Sequence, residues 1–322
     1  MFVRKIALIV VSLSTAAIAF GQVKKPSVKK TGAPVKQKIV NPAPKPAAIK
    51  KHNPDHTLLW QISGNGLTQP SYIFGTMHIL CADDAKLSGP LKKVIKESKQ
   101  IFFEVDMDDM QQMMGALQYA RMNDGTKLSD LLTPVEHDRV KAYFDSHKSI
   151  LPFSMMARFK PYFINALIAE GMMDCKAKAG MEESIMKESK LYDKEIKGFE
   201  TMEFQASLFD SIPYEKQAKD LLMYVDSIDL YKKNTMDMVD LYRKQDLQLL
   251  DSMVLKSDPG MEQYMDLLLY SRNKRWASEM PEQMFQAPTL FAVGAGHLPG
   301  VNGVLKLLRD QGFTVKPSNN RD

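Results

Sequence analysis

SYIFGTMH, residues 71–78, carries an apolar strand into a glycine and then a histidine, and TLFAVGAGH, residues 289–297, does the same near the other end of the chain. Each is a strand that ends in Gly-x-x-His, and the two matched ends decide how the rest is read. Before the first, Leu58 to Ile62 is a second strand-like run, and the turn-rich Ser63-Gly64-Asn65-Gly66 predicts a hairpin between them. After it, Leu87, Leu91, Val94 and Ile95 recur at helical spacing within Ala85–Ser98, and Ile101-Phe102-Phe103 forms a further apolar strand running into Glu104. The far end has a helix over Val301–Gln311 and a last strand at Phe313–Val315. From about residue 107 to 280 the pattern is helical, interrupted by one short strand at Glu195–Glu200. The expected fold is α/β: a central mixed β-sheet built from N- and C-terminal strand–helix units, with a large helical insertion between them. The folded domain is expected to cover residues 55–318, followed by a short tail at 319–322.

The first 54 residues belong to another class. Arg4 and Lys5 precede an apolar run from Ile6 to Phe20, and small residues lead to Gly21-Gln22. That order of parts predicts a secretory signal peptide over residues 1–21. The run is shorter than the roughly 20 residues that cross a bilayer, so no stable membrane span is expected after cleavage. Residues 22–54 are rich in Lys, Pro and Ala and read as a disordered linker, because they offer too little apolar surface to offset the entropy of ordering. Residues 1–51 hold eleven of the 43 cations and no anion, which leaves 32 cations against 38 anions in the remainder. The basic charge balance is therefore a property of the tail, and nucleic acid is not an expected partner. The expected location is exported, periplasmic or secreted. In an oxidising compartment the two cysteines, Cys81 and Cys175, allow one disulfide.

The chain has no HExxH, GxSxG, phosphate-binding loop or CxxC. Gly294-x-Gly296-x-x-x-Gly300 is one residue too long for a dinucleotide fingerprint and contains Pro299. Of the six histidines, at 52, 56, 78, 137, 147 and 297, only His78 and His297 follow an apolar strand and a glycine-containing turn, where glycine is expected to let the backbone bend sharply. Strand C-termini are where α/β sheets place reactive groups, so the two are expected to share one site. Glu104 follows a strand that should be buried, and a carboxylate there is costly unless it is paired or bound to a cation. Two imidazoles and a carboxylate are a common ligand set for Zn²⁺, Mn²⁺ or Co²⁺. The alternative is that Glu104 pairs with an arginine such as Arg272. The methionines around Met107, Met110, Met113 and Met114 read first as core or cleft lining, and Asp106, Asp108 and Asp109 as favourable charges at the next helix's N-terminus.

LLWQIS (58–63), SYIFGTMHIL (71–80), FFEVDMDD (102–109), KGFETMEFQ (197–205), RNKRW (272–276) and FAVGAGHLPG (291–300) occur in the order typical of the TraB/PrgY/GumN proteins, which include the TIKI metalloproteases. The chain resembles this family over about residues 55–318. The resemblance implies that His78, Glu104 and His297 serve a metal-dependent hydrolase acting on a peptide or protein, with Mn²⁺ or Co²⁺ as the ion and Zn²⁺ as a further option. It adds Glu200 as a second carboxylate near the metal, and Arg272 as an anion or oxyanion partner. The family fold is similar to that of erythromycin esterase and of a haem-binding lipoprotein. A non-catalytic protein binding haem, a peptide or another ligand in the same cleft is therefore the competing expectation.

Overall fold

The computed structural model describes residues 56–147, 149, 151–257 and 262–322; the expected signal peptide and the expected linker lie outside them. The strands among the described residues are β1 (Leu59–Ser63), β2 (Ser71–Thr76), β3 (Leu80–Cys81), β4 (Gln100–Val105), β5 (Lys178–Ala179), β6 (Glu195–Glu200), β7 (Thr289–Gly294) and β8 (Thr314–Pro317). Six of them form one mixed sheet in the order β6-β4-β7-β2-β1-β8, as the α/β reading requires. β1 and β2 are the expected antiparallel hairpin, Leu59 facing Phe74, and β8 adds antiparallel to β1. β2 with β7, β7 with β4, and β4 with β6 are all parallel. The C-terminal ends of β2, β7, β4 and β6 therefore lie along one edge of the sheet.

The central strands explain their own sequence. Every residue of β4 and of β7 is buried, which fits their unbroken apolar runs, because a parallel sheet covered on both faces has no solvent side to alternate with. Gly75 and Gly294 sit inside the strands as paired positions and not in a bend, contrary to the expectation that they make a sharp turn. Gly75 is needed for close approach: a Cβ there would lie 3.0 Å from Leu298 Cδ1 and 3.1 Å from Ala295 Cα.

Helix α1 (Gly89–Glu97) begins later than its apolar periodicity, because Ser88 caps it by accepting from the Leu91 N–H and Pro90 stands in its first turn. Between β4 and β7 the described chain is mostly helical. It includes α2 (Met110–Tyr119), α3 (Leu128–Leu131), α4 (Pro134–Ser146), α5 (Phe153–Met156), α6 (Pro161–Met172), α7 (Met181–Lys190), α8 (Met202–Leu208), α9 (Tyr214–Asp226), α10 (Ile228–Lys244), α11 (Leu247–Ser257) and α12 (Ser271–Gln286). A final helix, α13 (Val304–Asp310), leads into β8. Asp109 caps α2 through the N–H groups of Gln111 and Gln112, whereas Asp106 accepts from the Asp108 N–H and Asp108 pairs with Lys190. The methionines divide: Met107 and Met113 are core, but Met110 and Met114 are exposed.

Two large apolar cores result among the described residues. One covers the sheet, with Trp60, Phe74, Phe103, Trp276 and Phe291 among its members; the other lies within the helical middle around Tyr162, Phe163, Phe209 and Tyr224. The insertion is not wholly helical: β6 joins the main sheet beside β4, and β5 pairs with β3 as a two-stranded ribbon. Among the described residues no helix is long and apolar enough to cross a membrane.

Cys81 in β3 and Cys175 just before β5 are joined by a disulfide with 5.8 Å between their Cα atoms, closing a loop with a sequence separation of 94. A cross-link of that span removes chain entropy from the unfolded state. Replacing both cysteines by alanine should lower the free energy of unfolding by about 2–5 kcal/mol. Guanidinium titration of the two proteins checks this, and equal midpoints would show that the bridge contributes nothing.

Candidate active site

The parallel strand ends bring four of the expected residues to one buried edge. Glu104 is the penultimate residue of β4, Glu200 the last of β6, and His297 lies three residues past β7. His78 lies two residues past β2. The fifth, Arg272, is the second residue of α12 and crosses this edge. All five are buried, from His297 at 0% exposure to Glu200 at 7%.

Arg272 is the hub. Its Nη2 donates to Glu104 Oε2 and to Glu200 Oε2, both at 2.8 Å. Nε donates to Glu200 at 3.0 and 3.1 Å, Nη1 to the Leu268 carbonyl at 2.8 Å, and Nη1 stands 3.4 Å from His297 Nε2. All five N–H bonds thus have acceptors, so a substrate oxyanion would have to displace one of them. The pairing of Glu104 with Arg272, one of the two alternatives open from the sequence, is therefore present. The guanidinium also lies 4.8 Å from the ring centre of Trp276.

Glu200 is saturated. Besides Arg272, it accepts from Trp276 Nε1 at 3.1 Å and Gln205 Nε2 at 2.9 Å, and it pairs with Arg275. Glu104 accepts from the Gly294 N–H at 2.8 Å through Oε1 and from Gln205 Nε2 at 3.1 Å through Oε2. Burial alone would raise the Glu104 pKa. The neighbouring His297, Arg272 and His78, together with the Gly294 N–H, outweigh it and hold the carboxyl down at about 2.

The two histidines are held differently. His297 Nδ1 lies 2.6 Å from Asn273 Oδ1, while the Asn273 amide nitrogen donates to the Asn302 carbonyl. The amide oxygen therefore faces the ring, and Nδ1 must carry the proton. That leaves Nε2 as a lone pair, 3.7 Å from Glu104 Oε1. Burial, opposed by Glu104 and helped by Arg272 and His78, lowers the His297 pKa to about 3, so the ring is neutral. His78 Nδ1 lies 2.7 Å from Glu182 Oε1, a close contact that is off the ideal hydrogen-bond line. Burial lowers its pKa too, but Glu182 and Glu104 more than reverse this, and the net shift is upward. His78 Nε2 has no hydrogen-bond partner among the described residues. His78, His297 and Glu104 lie close enough for the protonation of one to shift that of the others.

Among the described residues, no three His, Cys, Asp or Glu side chains are gathered into a ready-made ligand cluster for a metal ion. Sequence reading missed several partners. Asn273, Arg275 and Trp276 lie within RNKRW, and Gln205 ends KGFETMEFQ, so these were in view as motif neighbours without assigned roles. Glu182, in the first turn of α7, carried no pattern that would have singled it out.

The family model described as "TraB/PrgY/gumN family" matches residues 58–317. Two curated relatives from Danio rerio match as well. "Metalloprotease TIKI2" is 23% identical, with 84% of this chain and 62% of the relative covered. "Metalloprotease TIKI1" is 20% identical, with 84% of this chain and 65% of the relative covered. The chain thus spans less than two thirds of the length of either. No solved structure matches significantly.

Two outcomes follow from this geometry. Arg272→Ala leaves two buried carboxylates without their shared cation and should cost about 3–5 kcal/mol of stability, read by denaturant unfolding. His297 gives a signed pH effect. Its folded pKa lies below the unfolded value, so the stability from burying the neutral ring is complete above pH 6.5 and is lost as pH falls towards 3. The stability gap between wild type and His297→Gln should shrink over that window in unfolding titrations at pH 7, 5.5 and 4. A constant gap would contradict the neutral assignment.

Proposed function

The chain belongs to the TraB/PrgY/gumN family, and on that premise we propose that it is an exported metal-dependent hydrolase acting on peptides or proteins. The observation that carries the proposal is the pair of buried imidazoles. Each is anchored through Nδ1; His78 Nε2 has no hydrogen-bond partner among the described residues, and His297 Nε2 lies 3.7 Å from Glu104 Oε1 and 3.4 Å from Arg272 Nη1. An imidazole that bonds outward through one nitrogen and presents the other is how protein ligands to metals are usually prepared. The names of the two metalloprotease relatives agree in class with that reading.

The donor chemistry fits a divalent ion in His78, His297 and Glu104. The unpartnered, buried His78 Nε2 is the atom that most needs an occupant. Glu200 fits less well, since its oxygens already receive Arg272, Arg275, Trp276 and Gln205. We therefore take Glu200 as the counter-ion of Arg272. When bound, a divalent ion supplies an activated water and polarises a carbonyl.

The chain's own residues do the rest. Arg272 holds Glu104 ionised and fixed, which suits it to accept a proton or to ligate. The neutral His297 offers a lone pair, approached also by Arg272 Nη1, and not a charge. The low exposure of all five residues excludes bulk water, which strengthens each electrostatic contact inside.

The saturation of Arg272 favours a second reading, in which the charged cluster is structural and the cleft only binds a ligand. Metal analysis separates the two. Wild type loaded with Mn²⁺, Co²⁺ or Zn²⁺ should retain one ion per chain and cleave unstructured peptides, and His78→Ala and His297→Ala should lose both properties. A wild-type protein that retains none of the three ions and cleaves nothing would decide for the binding reading.

A further inference from the structure

We propose that Glu182 is the positioning residue of His78: it fixes the proton on Nδ1 and so turns Nε2 towards Glu104 and His297. This rests on the reading above that His78 belongs to the site. Three independent features place Glu182 there. The two side chains are each only 3% exposed and stand 2.7 Å apart. No hydrogen-bond donor reaches either Glu182 oxygen among the described residues, so His78 is the group that compensates a buried carboxylate. The carboxylate also lies in the first turn of α7, where the helix dipole favours negative charge.

The backbone around the pair is built to hold it. β3 begins two residues after His78 and β5 ends three residues before Glu182, and these two strands pair with each other, Leu80 facing Ala179. The disulfide from Cys81 to Cys175 ties the same ribbon. The Met181 N–H, at the start of α7, donates to the Met77 carbonyl at 3.1 Å, and the Ala82 N–H to the Ala177 carbonyl at 2.9 Å. Between ribbon and helix stands Gly180, where a Cβ would lie 2.7 Å from the His78 carbonyl oxygen. Any larger residue would push the start of α7 away from His78. The nearby Tyr242 does not compete for the carboxylate, because its hydroxyl donates to the Gly75 carbonyl at 2.9 Å.

Long-range nitrogen–proton NMR of the full-length, metal-free protein labelled with ¹⁵N-histidine tests this, with His78→Ala to assign the resonances. In wild type, His78 Nδ1 should carry a proton; an unprotonated Nδ1 would overturn the proposal before any Glu182 variant is made. Glu182→Gln keeps an acceptor and should preserve the Nδ1 proton. Glu182→Met has similar length, suits a helix and lacks an acceptor, so the proton should move to Nε2. An unchanged His78 spectrum in folded Glu182→Met would also refute the assignment.

Titration with Mn²⁺ or Co²⁺ alone supplies a second readout. Affinity should fall about 10–100-fold in Glu182→Met and recover largely in Glu182→Gln. If wild type binds neither ion while its His78 proton still depends on Glu182, the metal reading fails and the positioning role stands. If wild type binds metal but neither His78 nor the affinity responds to Glu182→Met, the positioning role fails alone.

Discussion

A guanidinium taken out of water costs several kcal/mol, and Arg272, at 1% exposure, is tolerable only because every one of its N–H bonds finds an acceptor. Those acceptors come from four places in the chain: Glu104 in β4, Glu200 in β6, Leu268 before α12, and His297 after β7. The condition is mutual. Glu104 and Glu200 would each be buried charges without their shared cation, and Gln205 can bridge them only because Arg272 holds them together. Strand ends distant in sequence are thus locked into one geometry by the need to satisfy a single side chain.

That constraint gives two histidines of identical motif opposite properties. His297 has an amide oxygen on Nδ1 and a fixed cation near Nε2, so burial wins and the ring stays neutral. His78 has a carboxylate on Nδ1 and lies further from the guanidinium's influence, so its pKa moves up. Groups whose surroundings push their proton affinities apart are the usual mark of a site with divided roles. Here the division arises from what each Nδ1 meets, since the Gly-x-x-His context is the same for both.

The strands at both ends were legible because buried parallel strands declare themselves as apolar runs, and Ile101-Phe102-Phe103 or Leu290-Phe291-Ala292-Val293 has few other readings. His78, His297 and Glu104 were legible for a related reason, since a polar residue just beyond such a run must find a purpose. What stayed hidden was the pairing. Glu182 looks like any acidic residue in a helix's first turn, and only the β3–β5 ribbon, two residues on each side, brings it to His78. Pairings that short leave no periodicity to read. Gln205 and Asn273 were hidden differently: an amide shows its value only through what its two ends touch. The glycines of the two motifs were read as bends, but the structure uses Gly75 for close packing against Ala295, which sequence does not distinguish.

The helical middle therefore has a part in the site that its sequence did not announce. The two strand–helix units at the ends supply His78, Glu104 and His297, the groups with reactive potential. Almost every anchor comes from between them: Glu182 from α7, Glu200 from β6, Gln205 from α8, and Arg272, Asn273 and Trp276 from α12. Strand ends alone would leave two imidazoles free to rotate and a carboxylate without a cation. The insertion fixes the tautomer of one ring, orients the other and keeps the acid ionised. A site divided in this way tolerates drift in the helices wherever they carry no anchor. The second core around Tyr162 and Phe209 then has a clear task, which is to hold the anchoring segments rigid from behind.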